Sequence, residues 1–209
     1  MINIYAVTHT QSVHHVEKLG GGWYDTSLRE NGRIQAGKIG KFLVTQIKDN
    51  DVQIYSSDLK RAVETAEIIN NTFSSTVILE PELREMSFGE AGGKTKEWQN
   101  NNVKPQPDKG NRLDHKLYNK AETRRDVGNR ITNVINRIIA SNNGEDIIIV
   151  TYGFAMTFII MAWMKVPVEN MDYCKFTLYS GSITKFCQDD FFSNRSMEYL
   201  NKIIYQNGQ

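Results

Sequence analysis

Residues 147–164, IIIVTYGFAMTFIIMAWM, hold two apolar segments separated by a short polar break. The segment before the break is a β-branched run that fits a strand buried on both faces of a sheet, and the segment after it is long enough for a helix. Together they approach the length of a membrane span, but Thr151, Tyr152 and Gly153 divide them. The stretch therefore predicts a strand that leads into a buried helix, and no membrane span is expected.

The same order of strand and helix recurs earlier in the chain. Short strand patterns occur at 2–7, INIYAV, and at 52–57, VQIYSS, and helix patterns follow at 26–47 and 57–73. A further amphipathic helix is expected over 121–139. Strands that alternate with helices in this way form a parallel sheet. We predict an α/β fold, a three-layer αβα sandwich with a mainly parallel central sheet.

Residues 90–116 differ from the rest of the chain because they are rich in Gly, Asn, Lys and Pro and contain very few aliphatic residues. This composition is typical of a surface loop or lid. No internal repeat or domain-scale linker interrupts the sequence, so we expect a single domain, residues 1–209, that carries this inserted polar loop. We expect side chains such as Trp98, Lys104 and Lys109 to face a substrate and to set specificity.

Charge and cysteine content narrow the class of protein. The sequence has 25 basic and 24 acidic residues and a net charge of +1, so no overall charge attracts nucleic acid or an anionic membrane. It has neither a basic stripe nor interleaved aromatic residues for nucleic-acid binding. Only two cysteines are present, and the segment MINIYAV lacks the charged start of a signal peptide. We expect a reduced, cytoplasmic protein that binds neither nucleic acid nor membrane.

Polar residues gather where the predicted strands end. Ligands of open α/β sheets bind at the carboxyl ends of the strands, near the point where the strand order reverses. The groups found at these ends and in one later connection are Thr8, His9 and Thr10; Ser56, Ser57 and Asp58, followed by Arg61; Arg84 and Glu85; and Thr151 and Tyr152. Together they offer an imidazole, guanidiniums, carboxylates and hydroxyls. Such a set is suited to phosphate-ester chemistry.

Four segments in this order resemble the histidine phosphatase superfamily, which has the phosphoglycerate-mutase-like fold. They are IYAVTHTQS at 4–12, YSSDLKRAVETA at 55–66, ELREMSFGEAGG at 82–93 and IIIVTYGFAM at 147–156. The second is a close copy of a family signature, and the resemblance covers nearly the whole chain. It implies the phosphoglycerate-mutase-like version of the αβα sandwich. A homodimer is a further expectation, because dimers are common among the relatives.

The resemblance implies a two-step phosphoryl transfer without a cofactor. His9 would attack phosphorus in line to form a phosphohistidine that water hydrolyses, and Glu85 would protonate the leaving oxygen. Arg61 matches an arginine that holds the phosphate oxygens, and His15 stands where the family often has an asparagine that contacts phosphate. Arg84 could add another positive charge to this phosphate site, and its position fits a structural role equally well.

Three positions depart from the family pattern. Thr8 stands where the first motif has Arg, Thr10 where it has Gly, and Tyr152 where a second catalytic His is expected. Thr8 and Tyr152 can still donate hydrogen bonds to a phosphate, but neither carries a charge at neutral pH. The missing cations reduce transition-state stabilisation by a few kcal/mol, or about 10²–10⁴ in rate. Thr10 would crowd the phosphate, because a β-branched residue resists a backbone conformation chosen for Gly.

The histidines near His9 also raise the alternative of a metal site. His9, His14 and His15 follow one another at intervals of five residues and then one, which common zinc motifs do not share, and no cysteine lies nearby. We therefore expect no metal. We expect His14 to be exposed and uninvolved, and His115 to be a residue of the polar loop.

Three functions remain open on this sequence. The first is a divergent phosphoric monoester hydrolase or phosphotransferase that acts through His9 on a small phosphoester or other anionic substrate, weakly or selectively. The second is a non-catalytic pseudophosphatase that binds a phosphorylated or anionic ligand, or a protein partner, in the same pocket. The third is a repurposed enzyme in which His9, Glu85 and Tyr152 perform acid–base chemistry. The complete YSSDLKRAVETA segment favours the first.

Overall fold

The computed structural model describes residues 1–48, 52–106, 110–144 and 146–205. Within them, six strands form one sheet: β1 (Ile2–Thr8), β2 (Val52–Ser56), β3 (Val77–Leu79), β4 (Asp146–Thr151), β5 (Ile183–Gln188) and β6 (Arg195–Lys202). Their order in space is β3-β2-β4-β1-β5-β6. The first four in the chain are parallel, whereas β5 and β6 run antiparallel to their neighbours. The prediction of a mainly parallel central sheet is confirmed.

Six α-helices accompany this sheet in the described part of the chain. They are α1 (Val13–Glu17), α2 (Glu30–Leu43), α3 (Lys60–Asn70), α4 (Lys96–Asn102), α5 (Arg124–Ser141) and α6 (Gly153–Trp163). Helix α2 packs against α3, and α5 packs against α6. These two pairs form the outer layers of the predicted αβα sandwich.

The stretch at 147–164 forms the centre of the core. Strand β4 lies between β1 and β2, and its residues Ile147–Val150 are fully buried. Helix α6 follows directly and is buried from Ala155 to Trp163, which explains why its sequence is apolar on every side. Across the described ranges, no helix has both the length and the apolar character that crossing a membrane requires.

The polar loop at 90–116 contains local structure that its composition does not predict. Helix α4 lies within it and has no buried residue. Farther along, the short 3-10 helix Arg112–Asp114 places Leu113 in the hydrophobic core. The loop is therefore mostly a surface feature that one leucine attaches to the core. Lys109, which we expected to face a substrate, lies outside the described residues.

The sheet register brings the sequence-predicted site together. Thr8 at the end of β1 pairs with Thr151 at the end of β4, and Ser56 of β2 pairs with Val150. Because these three strands are parallel and adjacent, their carboxyl ends meet at one edge of the sheet. The residues that follow them, including His9 and Tyr152, must lie near one another.

Candidate active site

A cavity of about 300 Å³ lies at the carboxyl ends of β1 and β4. Six of the eight predicted site residues line it: Thr8, His9, His15, Arg61, Glu85 and Tyr152. His14, which we expected to be uninvolved, also lines it, whereas Thr10 and Arg84 do not. The cavity therefore lies at the strand ends where ligand binding is expected, with His14 in its lining and with Thr10 and Arg84 outside it.

His9 lies buried at the base of the cavity, immediately after β1, and is 6% exposed. Its backbone N–H donates to the Thr151 carbonyl at 2.8 Å, which ties it to β4. Its ring Nδ1 lies 2.8 Å from the Thr10 carbonyl oxygen, and because a carbonyl only accepts, Nδ1 must carry the proton. Burial, with the charge of Arg61 second, holds the pKa of His9 well below its ordinary value. The neutral ring therefore keeps its lone pair on Nε2, the form that a nucleophile requires.

The hydroxyls of Thr8 and Tyr152 are already engaged by the protein. Thr8 Oγ1 donates to the Tyr179 carbonyl at 2.6 Å, and the Tyr152 hydroxyl donates to Ser57 Oγ at 3.1 Å. Burial raises the pKa of Tyr152, so its hydroxyl stays protonated at neutral pH. Contrary to the expectation from sequence, neither hydroxyl proton is directed to a ligand in this arrangement.

Arg61 projects from the first turn of α3 and is 1% exposed. Its guanidinium donates to the carbonyls of Gly22 at 2.7 Å and Tyr24 at 2.9 Å, and it lies over the Tyr152 ring at 4.5 Å. Its Nε–H is buried and has no hydrogen-bond partner among the described residues. Arg61 thus holds the segment between α1 and α2 in place, while its Nε–H stays unpartnered in the part of the chain that the structure describes.

Glu85 is a cavity residue that also holds the start of α6. Its carboxylate accepts from the backbone N–H groups of Met86 at 2.8 Å, Phe154 at 3.1 Å and Ala155 at 2.9 Å. The last two belong to the first turn of α6, where a negative charge is favourable. Burial raises the pKa of Glu85, while these three N–H groups oppose that rise. A raised pKa favours the protonated form that a general acid needs.

Thr10 and Arg84 do not occupy the positions that the resemblance implied. Thr10 is fully buried behind the cavity, with its Oγ1 3.4 Å from Thr65 Oγ1, and it is not among the residues with positive φ. Its backbone therefore does not need glycine here. Arg84 donates twice to Asp58, at 2.6 and 2.5 Å, and lies over the Trp23 ring at 4.9 Å. This geometry fits the structural role.

His14 is buried, 5% exposed, so the expectation that it faces solvent is wrong. Its Nδ1 lies 3.0 Å from both Ser12 Oγ and Thr26 Oγ1. Burial, with His15 and Arg61 following, lowers the pKa of His14 to about 3. Ser12 is a local partner, whereas Thr26 belongs to the connection between α1 and α2, whose position over His14 the sequence around His14 does not predict.

His15 stacks on His9, with ring centres 5.2 Å apart and an interplanar angle of 15°. One side of it remains exposed, and partial burial together with Arg61 lowers its pKa. One ring nitrogen from each of His9, His14 and His15 lies within 4.8 Å of the others. These three residues could hold a metal ion, although their spacing in the sequence argued against it.

Trp98 of α4 and Lys104, which follows this helix, do not face the cavity. Trp98 packs near Tyr118, and Lys104 Nζ donates to Asn119 Oδ1 at 2.6 Å, so neither lines a cavity described here. Instead, Lys96 and Gln99 line a second cavity of about 430 Å³, which shares His14 and His15 with the first. The direction of side chains in a short polar helix was not readable from composition.

Comparison with known proteins identifies the family of this chain. The family described as the histidine phosphatase superfamily (branch 1) matches residues 4–197. Phosphoglycerate mutase-like protein 4 of Arabidopsis thaliana is 32% identical over 154 residues, 72% of this chain and 66% of that protein. Fructose-2,6-bisphosphatase TIGAR B of Danio rerio is 41% identical over 97 residues, 44% of this chain and 36% of that protein. The chain spans less than two thirds of the length of these curated relatives.

A solved structure shows the shared fold. The native structure of mycobacterial glucosyl-3-phosphoglycerate phosphatase superposes with a TM-score of 0.77 at 24% identity, over 95% of this chain and 98% of that chain. The family match begins in β1 and ends in β6, so it includes the whole sheet and the cavity at its edge. On this evidence the chain belongs to branch 1 of the histidine phosphatase superfamily.

Proposed function

We propose that this protein is a phosphoric monoester hydrolase or phosphotransferase that acts through a phosphohistidine on His9. The observation that carries the proposal is the hydrogen bond from His9 Nδ1 to the Thr10 carbonyl. It fixes the tautomer and leaves the Nε2 lone pair for attack on phosphorus, in a cavity that Arg61 and Glu85 also line. The resemblance of 4–12 to the first motif of the family supports the same role.

The proposed reaction has two steps, phosphoryl transfer to His9 and hydrolysis of the phosphohistidine. Nε2 of His9 forms a bond to phosphorus while the bond from phosphorus to the leaving oxygen breaks, and protonated Glu85 gives its proton to that oxygen. Water then attacks the phosphohistidine and transfers a proton to the Glu85 carboxylate. The bond between phosphorus and Nε2 breaks, which restores neutral His9 and protonated Glu85 and releases phosphate.

Charge stabilisation in this site is expected to be modest. Arg61 has few donors left for a phosphate oxygen, since one N–H of each terminal nitrogen donates to Gly22 or Tyr24 and its unpartnered Nε–H is buried. Thr8 and Tyr152 donate to protein acceptors instead. We therefore expect turnover about 10²–10⁴ below that of a site with the full set of cations, or activity restricted to an ester that brings its own donors.

The substrate is proposed to be a small phosphoester or related anion. Specificity would come from the insertion at 90–116 in an otherwise single domain, because Lys96 and Gln99 of α4 line the cavity that adjoins the first. Lys96 offers a positive charge to a second anionic group.

Location and assembly remain predictions. A cytoplasmic location agrees with Cys174 and Cys187, both of which are free. A homodimer remains an expectation from the family resemblance.

A second candidate is a pseudophosphatase that binds an anion without turning it over. The pairing of Thr8 and Tyr152 with protein acceptors favours it, because both hydroxyls lie where the family has charged or ionisable catalytic groups. The third hypothesis, acid–base catalysis by Tyr152, has less support, because its hydroxyl faces Ser57 and its pKa is raised.

The deciding experiment is hydrolysis of an aryl phosphate between about pH 5 and 8 in the presence of a chelator, with detection of phosphohistidine on the intact chain. We expect activity and the acid-labile phosphoryl group in the unaltered protein, and neither in His9→Ala. His115→Ala is the matched control, since His115 lies in the polar loop, with its Nε2 3.1 Å from the Lys104 carbonyl oxygen. Equal background rates in the unaltered protein and His9→Ala would favour the pseudophosphatase.

A further inference from the structure

The rings of His9, His14 and His15, here called the histidine cluster, converge although their sequence spacing is irregular. The chain reverses after β1, where Ser12 bridges to Leu28, and α1 begins at the next residue. This turn carries the two later rings back over the first. One nitrogen from each ring lies within 4.8 Å of the other two.

The separations between the rings suit a shared metal ion. Imidazole nitrogens bind zinc at about 2.0–2.1 Å with tetrahedral angles, which puts the ring centres of two such ligands roughly 5 Å apart. The observed distances between centres are 6.0 Å for His9–His14, 5.2 Å for His9–His15 and 4.3 Å for His14–His15. The three values lie on both sides of the required one, and the nearly parallel rings of His9 and His15 must turn out of their stack for both lone pairs to point at one ion.

The surroundings orient each ring as metal-binding histidines are oriented. A ligating histidine usually bonds an oxygen of the protein through its other ring nitrogen. His9 Nδ1 donates to the Thr10 carbonyl, His14 Nδ1 lies 3.0 Å from Thr26 Oγ1, and His15 Nδ1 lies 3.5 Å from Ser12 Oγ. None of the three Nε2 atoms has a hydrogen-bond partner within the ranges that the structure describes.

We propose that the histidine cluster binds one divalent transition-metal ion, zinc being the ion that three imidazoles favour, with a remaining coordination position open to the cavity. Neutral imidazoles are the ligand form, and His9 Nε2 is free in that form. Two charged groups that line the cavity affect a bound cation. The positive charge of Arg61 repels the cation, and the negative charge of Glu85 partly cancels that repulsion. We therefore expect weaker binding than in structural zinc sites with four protein ligands.

Metal binding is measured on the intact, metal-free chain without substrate. Calorimetric titration with zinc should give one ion per chain, and titration with Co²⁺ should give the visible absorption of a tetrahedral site. His15→Ala should weaken zinc binding at least about tenfold, and Thr26→Val, which removes one of the two oxygens beside His14 Nδ1, should weaken it by up to about tenfold. His115→Ala is the control and should bind one ion with unchanged affinity.

Two results would overturn the proposal. One is the absence of saturable zinc binding by the unaltered chain, and the other is equal affinity in His15→Ala. His14→Ala is a second ligand variant, but His14 is buried, so the partly exposed His15 is the better first choice. Unfolding in urea checks that each variant is folded.

The metal proposal and the phosphatase proposal fail separately. Zinc binding is read without substrate, and phosphohistidine formation is read with chelator present. One consequence rests on the proposed function. If both proposals hold, zinc binds the same His9 Nε2 lone pair that attacks phosphorus. Zinc should then inhibit aryl phosphate hydrolysis competitively in the unaltered chain and lose that effect in parallel with affinity in Thr26→Val.

Discussion

The two walls of the cavity use their polar groups differently. On one wall, Arg61, Glu85 and Tyr152 donate to or accept from backbone and side-chain groups of the protein. We call this the paired wall. On the other, the histidine cluster has partners at Nδ1 and none at Nε2 among the described residues. The difference indicates that the paired wall maintains the shape of the cavity, while the histidine cluster is available to a ligand.

Arg61→Met tests the paired wall with the largest expected effect. It leaves the carbonyls of Gly22 and Tyr24 without their donor in a buried site, and we expect the free energy of unfolding to fall by about 2–4 kcal/mol. Urea denaturation measures this. Arg33→Met is the control, because Arg33 is 44% exposed and pairs with Glu64, and it should cost less than about 1 kcal/mol. Equal losses in the two variants would remove the distinction between the walls.

Glu85→Gln should have the next largest effect. The amide removes the negative charge at the start of α6 and keeps only one of the two acceptor oxygens for the N–H groups of Phe154 and Ala155. We expect a loss of about 1–2 kcal/mol in unfolding free energy at pH 7. Glu90→Gln, at an exposed position, is the matched control and should change it by less than about 0.5 kcal/mol. A neutral result for Glu85→Gln would show that its carboxyl does not stabilise α6.

The pair between Asp58 and Arg84 gives a smaller, pH-dependent effect. The Arg84 guanidinium lowers the pKa of Asp58 below its usual value, despite the opposing effect of burial. Because the folded-state pKa is lowered, the stabilisation is present above the usual Asp pKa and is lost as pH falls through the lowered value. Both side chains are partly exposed, so we expect Asp58→Asn to cost under about 1 kcal/mol at pH 7.

The measurement is the difference in unfolding free energy between the unaltered protein and Asp58→Asn, taken at pH 7 and again near pH 2–3. The difference should shrink at the lower pH, because the unfolded chain then binds a proton at Asp58 that folding with the Arg84 pair must release. A difference that stays constant with pH would mean that the pair contributes nothing through charge.

His15→Ala should have the smallest effect on stability. No Nε2 hydrogen bond is lost, and His15 is partly exposed, so we expect a change within about 0.5 kcal/mol when no metal is present. Thermal unfolding in chelator, with and without added zinc, gives the comparison. A loss as large as that of Arg61→Met would show that the histidine cluster is structural as well.

Much of the fold could be predicted from the sequence, because the spacing of apolar residues and the position of a residue at the end of a strand are local properties. The apolar run at 147–150 predicted a strand buried on both faces, which is β4, and adjacent parallel strands place His9 beside Tyr152. The hydrogen-bond partners of the site side chains could not be predicted, because they come from other parts of the chain. The carbonyls that bind Arg61 belong to residues 22 and 24, and Thr26, beside His14, lies in the same connection.

Two side chains whose role the sequence left open show the same physical principle. Arg84 pairs with Asp58, which fits its structural alternative, and Trp98 of α4 packs near Tyr118. Residue type gives the chemical capacity of a side chain. Tertiary packing decides whether that capacity is already used.

The attachment of Glu85 to α6 makes proton transfer observable from the helix. Whenever the carboxyl gains or loses a proton, the electron density offered to the amides of Phe154 and Ala155 changes with it. Those two amide resonances are therefore a built-in spectroscopic indicator of the acid's protonation state. In the proposed reaction cycle they would report the proton on Glu85 from the main chain, without a label in the cavity.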